Sequence, residues 1–195
     1  MPEELVRRGT DAQRITTREY TEIIDTIQAK LKREIGLAND FIKIANYQGF
    51  ALDYSEANGL GISNKDLQRK VANAVETLPF VADVYVPEEL MLNTNSKKDI
   101  SFFRNNYRPD RGLEIKIRFT EYTLVGGGSN GTSHGTVYEY DTNVPVIFMG
   151  PQVKPQPFDN SAGIVDIAPT LARILDVPVT GIIDGRPLDL SLIHI

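Results

Sequence analysis

Residues 144–150 read Val-Pro-Val-Ile-Phe-Met-Gly, and residues 164–175 read Ile-Val-Asp-Ile-Ala-Pro-Thr-Leu-Ala-Arg-Ile-Leu. The first stretch is a continuous apolar run closed by glycine. Such a run fits a strand covered on both faces. In the second, Ile167, Leu171, Ile174 and Leu175 share a helical face, Asp166 stands at the N-cap position, and Pro169 fits a first turn. A buried strand followed by an amphipathic helix predicts an α/β sheet flanked by helices. The linking loop, around Gln152–Ala162, is rich in proline and in Asn-Ser turn residues.

Upstream, residues 113–119 alternate: Leu113, Ile115, Ile117 and Phe119 against Glu114, Lys116 and Arg118, the mark of a half-buried strand. Residues 17–35 place Tyr20, Ile23, Ile24, Ile27, Leu31 and Ile35 on one helical face, with Glu22, Gln28, Lys32 and Arg33 opposite. Thr16 and Glu19 form a capping box, and Gly36 ends the helix. Residues 41–47 and 50–54, split by Gln48-Gly49, predict a hairpin. Ala57–Gly61 reads as a loop. Ser63, with Asp66 three residues on, starts a second helix bearing Leu67, Val71, Ala74, Val75 and Leu78, which Pro79 stops. A strand over 81–86 follows, then a short helix opened by Pro87. The expected division is a helical lead-in at 1–37, a small α+β insert subdomain at 38–92, a sheet-and-helix core segment at 93–190, and an unassigned tail at 191–195.

The chain has 195 residues and 21.7 kDa, enough for one domain or slightly more. Its 21 basic against 26 acidic side chains leave a net charge of −5, which disfavours a polyanion-binding surface. It contains no cysteine, so disulfides, cysteine-ligated zinc and thiol nucleophiles are excluded. Two histidines, His134 and His194, cannot build a three-histidine metal site. Metal chemistry would lean on carboxylates or on residues outside this chain. No stretch approaches the roughly eighteen apolar residues that span a bilayer.

Chemistry concentrates in Gly131-Thr132-Ser133-His134-Gly135. Small neighbours leave the imidazole clear, and flanking glycines allow close backbone approach. From spacing alone His134 is an idle loop residue, a metal ligand or a general base, because a histidine needs convergent partners to act. Gly126–Ser129 lacks the lysine and helix of a phosphate cradle. Thr132 and Ser133 are too close in sequence to His134 for ordinary nucleophile–base geometry. Asp141 reads as a turn aspartate bonded to local backbone rather than a metal ligand. Lys97, Lys98, Arg104, Arg108 and Arg111, near Phe102, Phe103 and Tyr107, faintly suggest a nucleic-acid surface that the net acidity opposes.

Residues 131–155, GTSHGTVYEYDTNVPVIFMGPQVKP, followed by residues 164–188, IVDIAPTLARILDVPVTGIIDGRPL, resemble the C-terminal part of the alkaline phosphatase superfamily. The nearest branch is the bacterial alkaline phosphatases of the type I phosphodiesterase/nucleotide pyrophosphatase group. The Gly-Thr-x-His-Gly segment, the Tyr-Asp turn, the Val-Pro strand, the Asp-Ile-Ala-Pro-Thr-Leu helix and the closing Asp-Gly-x-Pro-Leu all occur in family order. Residues 1–130 match more loosely.

The resemblance implies an alkaline phosphatase-like fold, a mostly parallel mixed sheet flanked by helices, with the small α+β subdomain inserted. It implies a phosphoric monoester hydrolase working through a Thr or Ser phospho-enzyme at two zinc ions, with His134 as the last zinc ligand. Asn143 stands where relatives often carry another histidine. The family's nucleophile segment and remaining ligands have no counterpart here, so Met1 reads as an internal methionine of a longer enzyme and this chain as inactive alone. The expected substrate is a phosphate ester, with no nucleic-acid surface and no membrane span, and the parent is expected to be periplasmic or secreted. Alternatives are a phosphodiesterase, nucleotide pyrophosphatase or sulfatase of the same superfamily, or a non-catalytic binding module.

Overall fold

The computed structural model describes residues 1–92, 97–157 and 160–190. His194 and the rest of the expected tail lie outside the described residues. The chain forms two compact units, Met1–Thr142 and Asn143–Ile195.

The first unit begins with α1 (Pro2–Arg7), β1 (Gln13–Ile15) and α2 (Thr17–Ile35). It continues through β2 (Ile42–Asn46), β3 (Gly49–Leu52), α3 (Ser55–Gly59), α4 (Asn64–Glu76), β4 (Val81–Tyr85), α5 (Pro87–Met91) and α6 (Ile100–Asn105). It closes with β5 (Lys116–Phe119), β6 (Thr123–Val125) and α7 (Glu139–Thr142).

Helix α2 starts at the expected capping box. The Thr16 hydroxyl accepts from the Glu19 amide at 3.3 Å, while the Glu19 carboxylate accepts from the Thr16 amide at 2.8 Å. Gly36, at φ 85°, ends it in the left-handed conformation that glycine adopts without strain. One expectation fails on this helix. Gln28, placed on the solvent face by periodicity, is buried. Its side-chain oxygen accepts from the Phe41 and Ile42 amides at 3.1 and 2.7 Å, tying α2 to β2.

Strands β2 and β3 form an antiparallel hairpin, with Asn46 opposite Gly49. Strands β4 and β5 pair antiparallel, with Val84 opposite Ile117. A bridge between Phe50 and Ile115 joins the two ladders. The Phe50 amide donates to the Ile115 carbonyl at 2.8 Å, and the Ile115 and Glu114 amides donate back to the Phe50 carbonyl. Four strands therefore run in the order β2-β3-β5-β4. Helix α4, capped by Ser63 as expected, packs on β4 and α2. Tyr20, Ile24, Leu31, Phe50, Leu67, Val71, Val75, Val84 and Ile115 make one core. That core draws on α2, on the expected 38–92 segment and on β5 beyond it. The expected loop Ala57–Gly61 begins inside a short helix, α3 (Ser55–Gly59), because residues 57–59 belong to it.

Strands β1 and β6 form a separate parallel pair, with Arg14 opposite Leu124. Hydrogen bonds from the Gly126 amide to Ile15 and from the Thr17 amide to Gly127 prolong it. Both strands are three residues long, too short to show a period in sequence.

In the second unit the run 144–149 is not a strand. A strand needs a ladder partner, and among the described residues none is paired with it. Val144, Ile147 and Met149 are 60, 84 and 97% exposed. The 3₁₀ turn Ile164–Asp166 leads into α8 (Ile167–Ile174), as expected. Asp166 is buried, but its carboxylate does not cap α8. It accepts from the Gly163 and Arg186 amides, both at 2.9 Å. The Thr170 hydroxyl donates to the Asp166 carbonyl and accepts from the Leu188 amide. A Cβ on Gly185 would lie 2.0 Å from the Val165 carbonyl oxygen, so only glycine fits this crossing. The Asp-Gly-x-Pro-Leu segment is therefore stitched to the start of α8.

Leu67→Ala is expected to destabilise the first unit by about 2–5 kcal/mol in urea unfolding, because Leu67 is fully buried. In the second unit, the Arg186 and Gly163 amide bonds hold the Asp166 carboxyl below its ordinary value of 3.8. A carboxylate depressed by folding stabilises the fold above that value and loses the contribution as pH falls through the folded value. The Arg186 and Gly163 amide resonances are expected to titrate together below pH 3.8, and Asp166→Asn to abolish the titration.

Candidate functional site

The loop carrying His134 leaves β6 and ends at α7. Residues 131–135 are exposed, His134 among them. Gly131 and Gly135 take φ of 102° and 91°, conformations that L side chains rarely adopt, so the backbone reverses on both sides of Thr132-Ser133-His134.

Both flanks of the loop are tied down. Arg14, on β1, donates from Nη2 to the Gly131 carbonyl at 3.0 Å. The same guanidinium meets the Glu3 carboxylate through Nε at 2.6 Å and Nη2 at 3.2 Å. That contact holds the Glu3 carboxyl well below its usual range, at about 2. On the far side, the Asp141 carboxylate accepts from the Thr136 amide at 2.8 Å. Asp141 thus acts on local backbone, as a turn aspartate does. The Tyr138 hydroxyl donates to the Phe119 carbonyl at 2.6 Å and accepts from Arg118 at 3.1 Å. Arg118 is itself paired with Asp83. Tyr140 stacks between Tyr122 and Tyr138, with ring centroids 5.2 and 5.8 Å away.

Among the described residues, no group of three or more His, Asp or Glu side chains stands close enough together to hold a metal ion. Among the described residues, no further ligand converges on the His134 imidazole, and these residues by themselves do not fit a two-zinc site. Asn143, at the start of the second unit, is exposed. Two cations of the stretch considered for nucleic acid are paired with carboxylates. Lys97 pairs with Glu76 at 2.9 Å and Glu89 at 3.6 Å, Arg108 pairs with Asp110, and Phe103 stacks on Tyr85 at 4.4 Å.

Sequence reading located the loop but missed Glu3, Arg14 and Tyr138, which hold it. Tyr138 and Tyr140 were legible only as two aromatics two residues apart. Glu3 and Arg14 are eleven residues apart, and Arg14 and Gly131 are 117 apart, so no local pattern links them.

No family model matches the chain. Over 162 residues it is 25% identical to alkaline phosphatase PafA of Elizabethkingia meningoseptica, covering 83% of this chain and 30% of that protein. The crystal structure of wild-type PafA matches 99% of the chain, and 36% of its own, at a TM-score of 0.80 and 22% identity. The fold is that of an alkaline phosphatase. Two further relatives are a protein named calcium-transporting ATPase from Myroides odoratus and alkaline phosphatase PhoD of Zymomonas mobilis. The first is 26% identical over 83% of this chain and 30% of its own, the second 41% identical over 30% of this chain and 10% of its own. The chain thus spans about a third of the alkaline phosphatase it matches in fold. No helix among the described residues is long and apolar enough to cross a membrane.

Within this piece of the alkaline phosphatase fold, Tyr138 fastens the descending limb of the loop to β5. Tyr138→Phe removes a hydroxyl that serves two partners. It is expected to cost about 1 kcal/mol in urea unfolding and to shift the Thr136 and Asp141 amide resonances.

Proposed function

We propose that this chain is the C-terminal part of a zinc-dependent phosphoric monoester hydrolase of the alkaline phosphatase superfamily. The observation that carries the reading is the match of nearly the whole chain to about a third of an alkaline phosphatase at a TM-score of 0.80. In this reading His134 supplies one metal ligand from its anchored loop. The Thr or Ser nucleophile and the other ligands come from the part of the enzyme that this chain does not span. The substrate is a phosphate monoester, and the whole enzyme works in the periplasm or outside the cell, as the resemblance implies.

The geometry of the loop supports this division of labour. A metal ligand has to arrive with its ring unobstructed and its backbone fixed. The exposed Thr132–Gly135 turn meets the first need, and the bonds at Gly131 and Thr136 meet the second. In this reading the chain brings a single imidazole to that turn and takes its nucleophile from the rest of the enzyme, and it is inactive by itself.

The test uses the longest polypeptide encoded by the reading frame that contains these residues. With zinc it is expected to hydrolyse an aryl phosphate monoester faster than the matching diester. Since even the partners of metal ligands are worth about 10–100-fold, His134→Ala is expected to lower kcat/KM by about 100-fold or more. Full activity in that variant would overturn the assignment of His134. Zinc-dependent turnover by the 195-residue chain itself, lost in His134→Ala, would show that the site is complete within it.

A further inference from the structure

Arg14 is an unusual residue for a three-residue strand in a two-stranded pair. Its side chain is only 8% exposed, although it is charged. A buried guanidinium is costly unless its donors are used. Here Nε and Nη2 hold both oxygens of Glu3, and Nη2 reaches past that carboxylate to the Gly131 carbonyl. The carboxylate therefore fixes the fork, and the fork fixes the loop. The Gly131 carbonyl lies three residues before His134. The intervening chain has a glycine at each end, the residue that loses most conformational freedom on ordering. The prolonged β1–β6 pair ends at Gly127, and the next bond beyond it on this side of the loop is the one from Arg14.

We propose that Arg14, locked by Glu3, is the positioning residue of the His134 loop: it sets the direction in which the imidazole is presented. Asp141, bonded to the Thr136 amide, sets the opposite limb. The two anchors together leave only Thr132 to Gly135 between them, a span short enough to be stiff once both ends are held. The proposal rests on the reading of His134 as a ligand, because direction matters only for a group that must meet others. Arg14 touches neither substrate nor metal in this account and acts through the backbone alone. Lysine is a poor replacement, since one ammonium does not hold two carboxylate oxygens and a carbonyl in a fixed plane.

The experiment is backbone ¹⁵N relaxation on the 195-residue chain without metal, for the wild type, Arg14→Ala, Arg14→Lys and Glu3→Gln, with the melting temperature of each. In the wild type, residues 132–135 are expected to have order parameters near those of rigid backbone, about 0.85, and in Arg14→Ala to fall below about 0.6. The core strands keep their values, and the melting temperature moves little. Glu3→Gln, which leaves the guanidinium but loosens its hold, is expected to fall between. Arg14→Lys is expected to recover part of the order. An unchanged loop in Arg14→Ala overturns the proposal. So does a loss of loop order that occurs only together with a collapse of the melting temperature and of the core strands, because Arg14 would then be a structural residue. If Arg14→Ala does not fold, Glu3→Gln decides by the same criteria. Should the loop loosen as expected while His134→Ala leaves turnover of the longer polypeptide intact, the positioning role stands and the metal assignment alone fails.

Discussion

The first unit depends on the meeting of Phe50 and Ile115. A two-stranded pair is marginal in water by itself, and this part of the unit is built from two of them, the β2–β3 hairpin and the antiparallel pair β4–β5. Their fusion at one bridge, with both side chains fully buried, gives a four-stranded surface on which α2 and α4 can lay their apolar faces. The approach is so close that a Cβ on Gly49 would lie 1.9 Å from the Ile115 carbonyl oxygen. Glu114 adds a polar seam beside the junction. Its carboxylate accepts from the Leu52 amide, the Tyr54 hydroxyl and the Gln68 side chain, so β3, the start of α3 and α4 all meet the entrance of β5.

The loop that bears His134 is built on different principles. It has no apolar core beneath it and no regular ladder through it. Its order comes from side chains that reach in from elsewhere: a guanidinium on one limb, a carboxylate on the other, and a tyrosine that pins the return to β5. The chain therefore combines a packed subdomain with a polar turn held by point contacts. That is the usual allotment of tasks between scaffold and functional loop. The match to an alkaline phosphatase spans both parts.

What was legible in the sequence was what is local in the structure. The caps of α2 and α4, the stop at Gly36 and the hairpin at Gln48-Gly49 follow from residues within a few positions of one another. Gln28 was misread because helical period reports a face, and that face was assigned to water. The two backbone amides that it serves, Phe41 just before β2 and Ile42 at its start, lie thirteen and fourteen residues on. Arg14 was silent for the same reason at longer range. The 144–149 run was misread in another way. Its composition states that it prefers cover, but composition does not name what provides it, and no described residue pairs with it. Asp166 lies between these cases. Its value as an acceptor near a helix start was legible, and its partner in Arg186 was not.

That bare run carries its own restraint. Six uncharged residues rich in β-branched and aromatic side chains are the kind of segment that stacks with its own copies into fibrillar sheets. Pro145 stands second among them. Its nitrogen has no hydrogen to give, so every strand added to such a stack would repeat the same missing bond. A residue that adds little to a buried strand thus acts, whenever the strand is uncovered, as a guard against self-templating.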